Sequence, residues 1–331
     1  MAQQQWQVDG PRIIEVGDPQ ERVAALQVAI VGGHVGVVTH DDSPVARLEV
    51  AEVEGPPLTV SWDGRTLRVL HGKDATDSVI AALRRLIEEP GRHRAEVSLS
   101  MPAHARTTIS TVSASVVAGG LRAGLTVNTV SGEVALHDVS GRTKLNTVSG
   151  AAECVGLDGD VKLNTVSGAI TVQDSRIGAA KLNTVSGEIT LDLRNGRATL
   201  ASNSVSGDVT VRAPYTGYAV TATSATGQVV VDGRLLAKGR SPGTLTDGDG
   251  SLQISANSVS GSVVVLRAAA SGPPTPQDAP PNGDRAGRPD HGDQGEHTAY
   301  PQDRPAGTHP HDGLSTGDAG DHTAYPQEPS A

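Results

Sequence analysis

The sequence predicts an all-β protein built around a β-solenoid with coils of about 18–20 residues. A pentapeptide recurs at a nearly constant interval, and apolar residues alternate with polar ones between its copies. The 331 residues also include no Phe and only two Trp. A thin core of aliphatic residues and Thr needs little aromatic volume, and stacked coils bury such a core although no single coil can.

The repeated pentapeptide sets the length of the coil. Asn-Thr-Val-Ser-Gly begins at Asn128, Asn146, Asn164 and Asn183, and Asn-Ser-Val-Ser-Gly begins at Asn203 and Asn257. A degenerate copy begins at Thr223, and Thr111 to Ser113 resembles a worn first copy. The start positions from Asn128 onward are 18, 18, 19, 20, 20 and 34 residues apart, which is typical of a repeat architecture.

The residues between the pentapeptides alternate with the period of a β-strand. Apolar residues occupy the first and third positions before the Asn, as Leu125 and Val127 do, and the sixth and eighth positions after it, as Val134 and Leu136 do. Inward-facing residues therefore stand at odd distances before the Asn and at even distances after it. One continuous strand cannot change its inward face in this way, so a corner between two short strands must lie within the pentapeptide. We expect the Gly to supply the backbone freedom for that corner.

Residues 1–105 are predicted to form a β-rich cap on the solenoid. The pattern predicts a hairpin across Gly32-Gly33 and another across Asp63-Gly64. Residues 77–89 have the apolar stripe of a helix, with Asp77 as the cap and Pro90 as the stop. Such a cap would cover the unpaired strand edge at this end of the solenoid.

The solenoid itself is predicted to occupy residues 106–267. The 34-residue interval exceeds one coil, and we expect the excess, between Gly233 and Gly250, to form a protruding surface loop. Residues 268–331 are rich in Pro, Gly, Asp and His and have no periodic apolar residues, so we expect a disordered tail. The tail contains a short duplication, in which residues 297–302 return as residues 322–327.

Composition excludes several functional classes. The formal net charge of −10 disfavours non-specific binding of nucleic acid. No signal peptide or transmembrane segment is visible, so we expect a cytoplasmic protein. The single cysteine, Cys154, falls at an inward position and is expected to be a buried structural thiol. The sequence predicts no cofactor, no metal site and no catalytic residue, because a Ser needs a base beside it to act as a nucleophile and no His recurs at a fixed offset from the repeated Ser.

Two columns of side chains are candidate functional features. The asparagines that begin the pentapeptides are expected to hydrogen-bond from coil to coil as a structural ladder. Lys144, Lys162 and Lys181 each precede such an Asn by two residues and form an outward stripe. This stripe either is a solvated face that opposes aggregation or binds an anionic partner such as a glycan, a lipid head group or an acidic protein. Glu133, Glu188 and Asp208 are candidates to pair with it.

The pentapeptide ladder resembles the bacterial β-strand-repeat family of putative adhesins, which is a domain of unknown function. The resemblance covers residues 110–266 and is looser for the N-terminal strands and helix. It implies a right-handed parallel β-helix and supplies no catalytic residue.

Three functional hypotheses follow from these features. The first is a non-catalytic scaffold or interaction protein, adhesin-like by resemblance, with an unknown protein or glycan partner. The second is a structural protein that self-associates through the solenoid ends, although a capped end cannot stack. The third is a polysaccharide-active β-helix enzyme, which would need clustered carboxylates that the sequence does not show.

Overall fold

A computed structural model describes residues 4–71, 93–214, 217–238 and 243–267, and these described residues belong to one compact unit. The described residues form 25 β-strands and no helix. The predicted helix over residues 77–89 and the predicted tail over residues 268–331 lie outside the described residues.

The strands lie at the following positions. The first half of the chain has β1 (Gln4–Val8), β2 (Arg12–Val16), β3 (Ala25–Ile30), β4 (Gly32–His40), β5 (Ala46–Glu54), β6 (Leu58–Trp62), β7 (Thr66–His71), β8 (Arg94–Pro102), β9 (Arg106–Thr111), β10 (Ser115–Gly119), β11 (Leu125–Thr129), β12 (Val134–His137) and β13 (Thr143–Thr147). The second half has β14 (Ala152–Val155), β15 (Asp158–Thr165), β16 (Ile170–Thr184), β17 (Ile189–Leu193), β18 (Ala198–Ser204), β19 (Val209–Ala213), β20 (Tyr218–Ser224), β21 (Gln228–Val231), β22 (Arg234–Lys238), β23 (Gly243–Asp247), β24 (Leu252–Ser258) and β25 (Val263–Arg267).

These strands form two sheets, and the long strand β16 belongs to both. Sheet A has the order β1, β6, β7, β3, β9, β11, β13, β15, β16, β18, β24, β20, β23. Sheet B has the order β2, β5, β8, β4, β10, β12, β14, β16, β17, β19, β25, β21, β22. Each coil contributes one strand to sheet A and the next to sheet B, and the coils pair in parallel, so the fold is the predicted β-solenoid.

The pairing register follows the pentapeptide. Asn128 pairs with Asn146, Asn146 with Asn164 and Asn164 with Asn183 in successive parallel strands of sheet A. Apolar residues alternate inward in both sheets, as the buried Leu163 in sheet A and Val172 in sheet B illustrate. Burial changes parity at the pentapeptide, where Val166 and Ser167 both face outward, which is the corner that the sequence predicts.

The Gly of the pentapeptide is needed for a different reason from the one expected. Gly132, Gly150 and Gly168 do not have positive φ angles. A Cβ atom on Gly150 would instead lie 2.1 Å from the carbonyl oxygen of Gly132, and a Cβ on Gly168 would lie 2.1 Å from that of Gly150. The Gly column therefore allows neighbouring coils to approach closely, and backbone freedom is not what requires it.

The N-terminal segment contains coils of its own. β3 and β4 do not form the predicted hairpin across Gly32-Gly33, because β3 lies in sheet A and β4 in sheet B. Gly32 and Gly33 mark a corner, and a Cβ on Gly33 would lie 2.1 Å from the carbonyl oxygen of Ala95. β6 and β7 do form the predicted hairpin around Asp63-Gly64, with Trp62 opposite Leu67. The two sheets run across residue 105 without a break.

The C-terminal coils are not stacked in chain order. β24 and β25 lie between β18–β19 and β20–β21, so Asn203 pairs with Asn257 and Asn257 with Thr223. The expected surface loop between Gly233 and Gly250 contains β22 and β23, which pair antiparallel with β21 and β20. β22 and β23 therefore cover the outer edges of β21 and β20, which would otherwise be unpaired.

Arg267, at the end of β25, stabilises this stacking order of the C-terminal coils. Its side chain contacts Asp232 at 2.5 Å and Asp247 at 2.6 Å. The guanidinium carbon also lies 4.8 Å from the ring centroid of Tyr218, whose hydroxyl donates to Asp232 at 2.9 Å. One residue thereby connects β25 to β20, to the turn after β21 and to β23.

Candidate functional site

The Asn column lies on the outer face of sheet A, beside the corner. The side-chain amide of Asn146 donates to Asn128 Oδ1, that of Asn164 to Asn146 and that of Asn183 to Asn164, each at 2.7 Å. Asn203 and Asn257 extend the row at 3.1 and 3.3 Å, and Asn128 ends it by donating to Ser110 at 3.2 Å. The amides are therefore engaged with one another along the solenoid.

The Thr and Ser columns complete the corner. The buried Thr165 hydroxyl donates to the carbonyl of Gly168 and accepts from its amide, both at 2.9 Å. The Ser167 hydroxyl donates to the carbonyl oxygen of Val148 in the preceding coil at 3.2 Å. Similar Ser bonds recur at residues 131, 149, 186, 206 and 260. Each of these hydroxyls bonds to a backbone carbonyl, so the repeated serines have a structural role.

Lys144, Lys162 and Lys181 lie side by side in adjacent strands of sheet A. The register pairs Lys144 with Lys162 and Lys162 with Lys181, so the backbones of paired lysines are separated by the strand spacing of about 4.8 Å. All three are exposed. Among the described residues, no carboxylate lies within 4.0 Å of their ammonium groups.

The acidic residues expected to pair with this stripe lie elsewhere. Glu133, Glu188 and Asp208 follow the corner and directly precede strands of sheet B. The side chain of Asp208 accepts from the amide of Ser262 at 2.7 Å. The lysine row and these carboxylates therefore face different sides of the solenoid.

Two further cations lie beside the lysine row at a recess of sheet A, on positions two residues before that row. The recess has a volume of about 600 Å³, and Arg106, Arg142 and Lys144 line it. Gly124, Gly141 and Gly159, from three successive coils, form a floor without side chains. Asp160 also lines the recess, and its Oδ2 lies 3.9 Å from Arg142 Nη2. The two arginines were not predicted, although Arg142 shares the outward parity of Lys144.

Charge is separated between the two faces of the solenoid. On sheet A, the cationic side chains from β9 to β16 are Arg106, Arg142, Lys144, Lys162, Arg176 and Lys181, opposed by Asp158 and Asp160. On sheet B and its flanking turns, the charged side chains from β12 to β19, apart from the corner at residues 194–197, are Glu133, Asp138, Glu153, Asp174, Glu188, Asp192 and Asp208, with Arg212 3.9 Å from Asp192. An anionic ligand is therefore attracted to sheet A and repelled by sheet B.

The buried titratable groups lie away from this face. Cys154 is buried, and the loss of solvation raises the pKa of its thiol to about 12, so it remains a thiol at neutral pH. His71 and His93 contact each other edge to face, with ring centroids 5.7 Å apart. Burial and the neighbouring His93 lower the pKa of His71 to about 4. The four residue ranges that the structure describes contain no group of three His, Cys, Asp or Glu side chains able to hold a metal ion.

Comparison with known families identifies the repeated coils. The family model described as Toastrack DUF4097 matches residues 93–232 and residues 124–266. Together these matches span more than half of the chain. The chain belongs to the Toastrack DUF4097 family. The Toastrack region therefore begins directly before β8, includes the lysine row and the recess, and ends within β25.

Two solved structures are similar to this Toastrack chain. One is a putative cell adhesion protein from Clostridium sporogenes, with 12% identity, a TM-score of 0.23, and coverage of 78% of this chain and 100% of that one. The other is a putative lipid binding protein from Parabacteroides distasonis, with 16% identity, a TM-score of 0.48, and coverage of 78% and 97%. No curated protein matches the sequence. Across the described residues, no helical segment has the length and apolar character needed to cross a bilayer.

Proposed function

We propose that this Toastrack protein is a non-catalytic interaction scaffold, adhesin-like in that it presents one extended face of its solenoid to an anionic partner. The supporting observation is the lysine row: three exposed ammonium groups stand in register on adjacent strands without a carboxylate of the described residues beside them. A row kept only for solubility would gain stability from alternating charges, since like charges on adjacent strands repel.

The chemistry of the face supports binding over catalysis. The repeated hydroxyls donate to backbone carbonyls, and the Asn amides bond to one another. General acid–base catalysis needs a proton-transferring group within reach of a reacting atom. The carboxylate in the recess, Asp160, lies 3.9 Å from Arg142, and no second carboxylate of the described residues lines the recess. We further propose that the solenoid is right-handed, as parallel strand connections overwhelmingly are.

An affinity capture with matched variants tests the scaffold function. The full chain would be immobilised beside the triple variant Lys144→Gln, Lys162→Gln, Lys181→Gln and beside Arg212→Gln, and each would receive the same extract of the source organism. Arg212 is a matched control because it is an exposed cation of sheet B. The proposal requires a component that the wild type and Arg212→Gln retain and the triple variant loses. Equal recovery by all three proteins would contradict it.

A further inference from the structure

The cations of sheet A form a line, and a line suits an extended ligand. Lys144, Lys162 and Lys181 occupy one register position in three adjacent strands, so the row runs along the solenoid axis and across the strands. A small anion could contact one or two of these ammonium groups. A chain with a negative charge at an interval near the ~4.8 Å strand spacing could contact all of them at once.

The recess gives this line a defined end. Arg106 and Arg142 stand beside Lys144 around a floor of glycine backbone. A guanidinium group binds a carboxylate through two parallel hydrogen bonds, whereas an ammonium group acts as a point charge. The volume of about 600 Å³ falls in the range of pockets that hold a small organic ligand. The recess therefore fits the terminal units of a chain whose remainder follows the lysines.

Neutral polar groups lie next to the charges. Thr126 occupies the same register position as Lys144 on the neighbouring strand, and Thr126 also lines the recess. Asn146 and Asn164 each use one amide hydrogen for the ladder, which leaves their second amide hydrogen for a ligand. Alternating carboxylates and hydroxyls would satisfy this mixture of cations and neutral donors.

These observations favour one class of ligand, and the inference rests on the function proposed above. We propose that the recess and the lysine row bind a linear carboxylated polysaccharide that lies along the solenoid axis. A uronic acid polymer has one carboxylate on each sugar, together with hydroxyls between the carboxylates.

Two other polyanions fit the face less well. A bilayer is flat, so its head groups would reach the rim of the recess and leave its floor unfilled. Single-stranded nucleic acid is held in part by bases stacked on aromatic side chains. No aromatic residue in the described part of the chain lines the recess.

Titration of the full chain with a long oligogalacturonate at low salt tests the inference. We expect binding that weakens as salt is raised, because exposed charge pairs are screened. A neutral galactan of the same length should not bind. The triple lysine variant and the pair Arg106→Gln, Arg142→Gln should each bind about tenfold more weakly, while Arg212→Gln should bind like the wild type. Asp160→Asn should bind more tightly, because it removes the carboxylate that competes for Arg142.

The same titration has outcomes that overturn the inference. Absence of binding at low salt would do so, as would equal affinity of the wild type and the triple variant. Binding to phosphatidylglycerol vesicles or to poly(U), without binding to oligogalacturonate, would also exclude a polysaccharide ligand. In those cases, a component that the triple variant fails to capture from the extract would leave the scaffold function standing and reject only the ligand class.

Discussion

Gly168 illustrates how one position of the pentapeptide is fixed by its neighbour in the stack. Its hypothetical Cβ would lie 2.1 Å from the carbonyl oxygen of Gly150 and 2.9 Å from the carbonyl carbon. Neither backbone atom can move without separating two coils. The same contact recurs at Gly187 and Gly207, with Cβ distances of 2.1 and 2.0 Å, so a side chain does not fit at this position where one Gly of the column stacks on another.

The variant Gly168→Ala should therefore destabilise the protein by about 3 kcal/mol, since overpacking a closed contact forces the backbone to shift. Urea denaturation followed by circular dichroism would measure the free energy of unfolding. Gly178→Ala is the matched control, because a Cβ there would meet only Asp160 Oδ1, at 3.6 Å. Equal stability of the two variants would show that the coils are not packed as described.

The Asn ladder should be stronger in its middle than at its end. Asn164 both donates to Asn146 and accepts from Asn183 at 2.7 Å, so Asn164→Ala leaves two partners unpaired and should cost about 2 kcal/mol. Asn257 is exposed and donates to Asn203 at 3.3 Å, so Asn257→Ala should cost about 0.5 kcal/mol. Chemical denaturation of both variants would check the order, and an equal cost would contradict a cooperative ladder.

His71 should make the protein less stable in acid. Its pKa is about 4 in the folded protein, below the ordinary value of 6.5, because it is buried next to His93. As the pH falls below 6.5, the unfolded chain binds a proton that the folded chain does not, so the free energy of unfolding falls until about pH 4. Above pH 6.5 this group contributes no pH dependence.

Urea midpoints measured between pH 7.5 and pH 4.5 would test this dependence. We expect His71→Leu to reduce the loss of stability on acidification, while His137→Asn, at an exposed position, should leave it unchanged. If the wild type and His71→Leu lose stability in parallel, the acid sensitivity comes from other groups.

At the scale of elements, the local alternation of residues predicts strands better than it predicts their partners. The period of two and the change of parity at the pentapeptide are both present in the fold, and the equal spacing of the Asn residues predicts their parallel register. Gly32-Gly33 was wrongly predicted as a hairpin turn. Two glycines between strands fit a turn and a close-packed corner equally well, and only the contact with Ala95, distant in sequence, distinguishes them.

The exchange of the C-terminal coils could not be predicted for a related reason. Both stacking orders place similar residues next to one another: Asn203 could pair with Thr223 or with Asn257, and the structure selects Asn257. The cluster of Arg267, Asp232 and Asp247 favours the exchanged order, and its members are far apart in sequence. The candidate site could not be predicted in full for the same reason, because Arg106 and Arg142 are distant in sequence and line one recess only when the coils are stacked.

The stacking order of the C-terminal coils predicts that residues 218–250, which contain β20 to β23, can be deleted. The amide of Leu252 donates to the carbonyl of Gly217 at 3.1 Å, so deletion of residues 218–250 would join Gly217 to Ser251 across a short gap. The shortened protein should fold, because β24 and β25 already pair with β18 and β19. It should also self-associate more, because deletion exposes the outer edges of β24 and β25.

Circular dichroism and size-exclusion chromatography with light scattering would test the deletion. A β-rich monomer at low concentration that associates at high concentration is expected. Loss of the β-sheet signal would show that the solenoid cannot fold without β20–β23, and it would contradict this prediction.

At the scale of the whole molecule, the solenoid converts a short repeat in sequence into long rows on a surface. The residues of one row are 18 or 19 positions apart in the chain and adjacent in space. Rows at different offsets from the Asn differ in chemistry, which places cations on sheet A and carboxylates on sheet B. Composition alone could not predict this separation, because a net charge of −10 indicates only an acidic protein.

Disulfide formation between two positions of the lysine row tests this arrangement most directly. In-register parallel neighbours are within the Cα separation that a disulfide requires. Under mild oxidation, Lys144→Cys, Lys162→Cys should form an intramolecular disulfide, whereas Lys144→Cys, Lys181→Cys should not, because β15 lies between β13 and β16. Cys154 is buried and should not compete. Rapid closure of the second pair, or failure of the first, would contradict the in-register stack on which the proposed binding face depends.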